Sequence, residues 1–250
     1  MRCLLLLSLL LAFEAHAQRV AHIVVALCDN VHQGIVKVPA SLGNGQNTST
    51  NLYWGAAFGV RTFFDRSKEW IRQQVPKPAE AHILERAVWK HRDSAVYVVA
   101  DAYDGRNIRE ATEDLLAYAS GAKAARLNVA GASIPIGGGA DLVAYTGHDG
   151  LMDFQIESTF PARDQRQRRA IILACVSKDY YADQLKRTGA TPLVWTTGLM
   201  APEAYTLHAA LAGWVLHESD AAIRERAAQA YDHHQKCGLN GARRLLVTGW

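Results

Sequence analysis

Two side chains capable of covalent chemistry sit at the ends of apolar runs. Residues 142–150 read Leu-Val-Ala-Tyr-Thr-Gly-His-Asp-Gly, and residues 170–177 read Ala-Ile-Ile-Leu-Ala-Cys-Val-Ser. A thiol beside an imidazole is the minimal apparatus of a cysteine nucleophile: the thiolate attacks and the imidazole moves the proton. His148 and Cys175 are therefore the candidate catalytic pair. Acyl transfer also needs N–H groups around the developing oxyanion. Gly147 and Gly150 flank the histidine and permit the tight turns that aim such groups; the Cys175 N–H is a further candidate. The same residues have a plainer reading, because free Cys is among the most buried residue types and a turn His often bonds only to backbone.

The pair needs two neighbouring strands to bring it together. Continuous apolar runs of this length are the pattern of buried parallel strands. In open α/β sheets the chemistry lies just beyond the carboxyl ends of such strands. Further strands are expected at 21–27, 82–89, 95–100, 192–196 and 245–248. Helical spacing points to helices at 52–70, 107–120, 180–188, 201–216 and 223–234. Residues 31–51, which hold Gly34, Pro39, Gly43, Asn44 and Gly45, read as an irregular surface loop. The alternation predicts an α/β fold, a three-layer sandwich around a mostly parallel central sheet, as one domain over residues 18–250.

The chain opens Met1-Arg2-Cys3, continues with a ten-residue apolar core at 4–13, and reaches Ala15-His16-Ala17. That is the pattern of a secretory signal peptide over residues 1–17, with cleavage near Ala17. The run is too short for a membrane anchor. The expected mature protein is exported, secreted or periplasmic in a bacterium, with no membrane attachment after cleavage. A net charge of +3 gives no reason to expect nucleic acid. The basic stretch 163–169 reads as a solvated face. Cys3 leaves with the signal, and Cys28, Cys175 and Cys237 are too few for a disulfide framework. His233, His234 and Cys237 lack a fourth ligand for zinc. Gly137-Gly138-Gly139 precedes a strand instead of opening a helix, so no phosphate cradle is expected. No metal or cofactor is predicted.

The order apolar strand, Gly-His, apolar strand, Ala-Cys resembles the caspase-like cysteine peptidases, the group of caspases, legumains, gingipains and clostripain. Thr146-Gly147-His148 and Leu173-Ala174-Cys175 carry the resemblance, within about 15 residues. It implies Cys175 as nucleophile, His148 as general acid and base, a caspase-like parallel sheet, and a peptide or protein substrate. It places a His-orienting group after the first strand, where Asp29 and Asn30 stand. It makes the loop after the next strand, beginning Trp195-Thr196-Thr197, the wall of the substrate pocket, with Asp153 or Asp179 available to select a basic side chain. The chain departs from the pattern at Asp149, where those peptidases carry Gly, and at Leu173. His148 and Cys175 are 27 residues apart, against about 50 in caspases. A domain that keeps the fold for periplasmic binding or interaction, without the chemistry, is the alternative expectation.

Overall fold

The first strand shows how the sheet is made. β1 (Arg19–Ala26) is RVAHIVVA, buried at every residue after the first, as a strand covered on both faces must be. The computed structural model describes residues 18–250; the expected signal segment and Cys3 lie outside the described residues. After β1 come α1 (Val60–Arg66), β2 (Trp70–Gln73), β3 (Ile83–His91), β4 (Val96–Tyr103) and α2 (Ile108–Ala119). A hairpin follows, β5 (Ala124–Val129) and β6 (Ala132–Gly137), and then β7 (Leu142–Thr146) and β8 (Arg169–Leu173). The remainder is α3 (Ser177–Thr188), β9 (Thr191–Thr196), α4 (Ala204–Val215), α5 (Asp220–Gln235), α6 (Leu239–Leu245) and β10 (Leu246–Val247).

Eight strands form one sheet in the order β10-β9-β8-β7-β1-β4-β3-β2. The pairs joining β4, β1, β7, β8 and β9 are all parallel. Antiparallel strands occupy the flanks: β3 and β2 on one side, β10 on the other. Alternate residues of β1 feed two cores. Ala21, Ile23 and Val25 meet Phe64 of α1 and the buried faces of α4 and α5. Val20, Val24 and Ala26 meet α2, α3 and the β5–β6 hairpin. The fold is α/β with a large, mostly parallel sheet covered on both faces.

A buried ion pair interrupts the second core. Asp101, fully buried on β4, receives Arg86 Nε and a second guanidinium nitrogen, each at 2.6 Å, and His22 Nε2 at 3.0 Å. His22 Nδ1 accepts the Gly137 N–H at 2.7 Å, so its proton sits on Nε2. Burial pushes the Asp101 carboxyl up, but the hydrogen bonds from Arg86 and His22 outweigh that and hold it below its usual range.

The elements depart from the expected pattern in places. The helix expected over 52–70 is only α1, and residue 70 begins β2. The Asn51 side chain accepts from the Cys28 and Tyr53 N–H groups and donates to the Cys28 and Asn44 carbonyls. These bonds hold the chain in turns up to Gly59, by the competition through which Asn disfavours helix. The β5–β6 hairpin and α6 had no counterpart in the expected pattern. The strand at 82–89 lies one place in from the sheet edge, because β2 pairs outside it.

Candidate active site

Thr146 pairs with Leu173 at the carboxyl ends of β7 and β8. His148 and Cys175 each stand two residues beyond that pair. The register therefore brings the two residues to the same end of neighbouring strands. Both line one cavity of about 430 Å³. Its walls are mainly apolar, from Ile35 and Val38 of the 31–51 loop, Leu52, Met152, and Leu199 with Met200 after β9. Apolar residues also crowd the mouth: Val36 is 92% exposed, Leu199 73% and Met152 40%. Exposed large apolar side chains gathered at a cavity mark a binding surface more than a solvated one.

The histidine is nearly buried and firmly oriented. Its Nε2 lies 2.8 Å from Asp153 Oδ2. A carboxylate accepts, so Nε2 carries the proton and Nδ1 keeps its lone pair. Nδ1 has no protein partner among the described residues. Asp153 Oδ2 also accepts the Gly34 N–H at 2.9 Å, tying the 31–51 loop to the histidine. The Tyr145 hydroxyl donates to the His148 carbonyl at 2.7 Å. Gly147 is required here: a Cβ on it would sit 2.9 Å from the Ala26 carbonyl oxygen.

Cys175 sits in a strand–turn–helix corner. Val176, the next residue, has φ +51° and ψ +29°, a left-handed conformation that is an outlier for a β-branched side chain. Helix α3 starts immediately after it, and helix N-termini favour negative charge nearby. The Met200 N–H donates to Sγ at 3.4 Å, and Sγ lies 3.6 Å from the Met200 carbonyl oxygen. The corner is braced from below. The buried Thr196 hydroxyl donates to the Ala174 carbonyl and accepts the Ser177 N–H, and Ser177 Oγ donates to the Ile172 carbonyl at 2.8 Å.

Several expected roles are corrected by these positions. Asp29 and Asn30 do not orient His148. Asp29 accepts from the Val31 and His32 N–H groups, the His32 ring and Gln46. Burial raises its carboxyl, but those bonds prevail and hold it below the usual range. Asn30 exchanges two hydrogen bonds with the Val38 backbone. Both shape the loop that walls the cavity.

The Gly147 N–H is already given to the Leu173 carbonyl at 3.3 Å. Gly150 packs against Phe154 and Thr112 and lines no part of the cavity. Neither is an oxyanion donor. The Cys175 N–H has no protein acceptor among the described residues and remains the candidate.

Trp195, Thr196 and Thr197 do not wall the cavity. Trp195 points to the opposite core and meets the Trp250 ring edge-on at 5.4 Å. Thr196 is the brace just described, and the Thr197 hydroxyl donates to the Arg244 carbonyl at 2.7 Å. The wall comes from the next residues, Leu199 to Glu203. Asp179 is exposed on α3 and lines no part of the cavity. Asp153 holds the histidine instead of facing a ligand.

The other cysteines differ in kind. Cys28 is fully buried, and burial pushes its thiol up to about 11; Cys237 is exposed. His234 stacks on Tyr205 at 4.1 Å. Among the described residues no group of three or more His, Cys, Asp or Glu side chains is placed to hold a metal ion, and no helix is long and apolar enough to cross a membrane. Compared with known proteins, the chain matches no family model, no curated protein and no solved structure.

Proposed function

We propose that this chain is an exported cysteine peptidase of caspase-like arrangement, with Cys175 as nucleophile and His148 as general acid and base. The observation that carries the reading is the convergence of both side chains, from register-matched strand ends, on one apolar-walled cavity. The strained corner at Val176, the helix N-terminus behind it and the Asp153–His148 bond are further support. Strain of this kind concentrates at functional sites, and a carboxylate on the far imidazole nitrogen is the usual orienter of a catalytic histidine.

In the proposed reaction His148 Nδ1 takes the thiol proton as Sγ bonds to the substrate carbonyl carbon. The carbonyl electrons move to oxygen, where the Cys175 N–H can donate. The imidazolium, held by Asp153, returns its proton to the leaving amine as the C–N bond breaks. A thioester remains. Water then attacks it, His148 accepts the water's proton and gives it to the departing sulfur, and the acid product leaves.

The test is cleavage of an internally quenched peptide pool by the protein and by its Cys175→Ala and His148→Ala variants. Cleavage abolished by either substitution supports the reading. No cleavage by the parent chain, or cleavage that survives Cys175→Ala, refutes it.

A further inference from the structure

The cavity shared by Cys175 and His148 contains one carboxylate, Glu203. It is half-buried. Tyr205 Oη donates to its Oε2 at 3.1 Å, and Gln235 Nε2 approaches the same oxygen at 3.5 Å. The other oxygen, Oε1, receives no protein hydrogen bond among the described residues. No arginine or lysine pairs with it there either. Three other partly buried glutamates are paired with a cation, Glu85 with Arg61, Glu218 with Arg226 and Glu225 with Arg243, whereas Glu110 and Glu113 share with Glu203 the lack of an ion pair among the described residues. Burial raises the Glu203 carboxyl and only Tyr205 opposes this, as expected of an acid without a cation.

Its position relative to the thiol is constrained. Met200 touches Sγ through its backbone, and Glu203 is three residues further on. Three residues span at most about 11 Å, and a bond from the Glu203 N–H to the Ala201 carbonyl at 2.9 Å tightens that stretch. The lining that the thiol and the carboxylate share is mainly apolar, with Leu199, Met200 and Pro202 from the stretch after β9 and Ile35 and Val38 from the 31–51 loop. An aliphatic stem fits that surface, and a cationic head would end at Glu203. A purely apolar occupant would strip water from the carboxylate and supply no partner. An acidic one would place like charges together.

We infer that this site takes a substrate with an arginine or lysine side chain at the residue whose carbonyl Cys175 attacks, and that Glu203 is the residue that selects it. The inference rests on the hydrolase reading for its chemistry, but the cation site stands on the cavity alone.

Two arms separate them. In the first, coumarylamide peptides ending in Arg, Lys, Leu or Asp are compared by kcat/KM. Arg and Lys are expected to lead Leu and Asp by roughly tenfold or more, the scale of one charge-assisted hydrogen bond. Glu203→Gln is expected to level that ratio, and Glu203→Lys to turn it toward Asp. A parent preference for Leu or Asp, or an Arg preference that survives Glu203→Gln, overturns the inference.

In the second, agmatine and n-pentanol are titrated calorimetrically into the Cys175→Ala protein and its Glu203→Gln derivative. Agmatine binding that requires Glu203 supports the cation site even if no peptide is cut, in which case only the hydrolase reading falls. Absence of agmatine binding, or binding equal in both proteins, overturns the inference.

Discussion

Asp153 Oδ2 and His148 Nε2 are 2.8 Å apart, and the same oxygen accepts the Gly34 N–H. One carboxylate thus fixes both the tautomer of the candidate base and the edge of the cavity loop. Asp153→Asn is an informative replacement. Both bonds end on the one oxygen, so the amide oxygen can accept both and keep the proton on Nε2, while the negative charge that stabilises the imidazolium is lost. The expected outcome is a fall in kcat of roughly a hundredfold or more with little change in KM. Equal turnover by Asp153→Asn would show that the bond is only structural.

Thr196 braces the corner under Cys175. Thr196→Val keeps the shape but leaves the Ala174 carbonyl and the Ser177 N–H without their buried partner. Urea unfolding should show a loss of about 1–3 kcal/mol. At a temperature where the variant is folded, iodoacetamide should also modify Cys175 more slowly than in the parent. Stability and reactivity both unchanged would remove the brace from the account.

Asp149 predicts a pH dependence. Burial pushes its carboxyl up to about 7 from an ordinary 3.8. Between those values the folded protein binds a proton that the unfolded chain has released. This contribution to stability is complete below about 4 and is lost as pH rises through about 7, at up to roughly 1.4 kcal/mol per pH unit. Asp149→Asn, which can still accept the Leu151 N–H, should flatten that slope. Urea midpoints of parent and variant at pH 5 and pH 8 test it, and parallel midpoint shifts would contradict it.

Arg86 lies far from the thiol in the fold, so it serves as a contrasting case. Arg86→Met leaves Asp101 buried with His22 alone. A loss of about 3–5 kcal/mol is expected from the unpaired charge, and the folded variant should alkylate at Cys175 like the parent. A melting temperature unchanged by this substitution would refute the role given to the ion pair.

What could be read in the chain, and what could not, has physical reasons. The runs ending at His148 and Cys175 are legible because parallel strands covered on both faces have few polar interruptions, and β7 and β8 lie there. The β5–β6 hairpin was hidden because its turn is Ala130-Gly131, both at positive φ, without the Asn-Gly or Asp-Gly signature of such turns. The aromatic spacing over 52–70 suggests a helix, yet the Asn51 side chain captures the backbone first. The position of Asp153 near the histidine loop suggests a selector of basic side chains, and only the fold shows its bond to His148. Glu203 follows β9 by seven residues and carried no local signal. Its importance arises from the return of the chain past Cys175, a tertiary fact.

The most direct measurement is iodoacetamide labelling at about pH 7, followed by mass spectrometry of all three thiols in one sample. Cys237 is exposed and supplies the internal reference, while Cys28 is buried. If His148 activates the thiol, Cys175 reacts at least roughly tenfold faster than Cys237, and His148→Ala brings it down to the Cys237 rate. A Cys175 rate at or below that of Cys237, or one indifferent to His148→Ala, would contradict the pairing and leave the cavity a binding site alone.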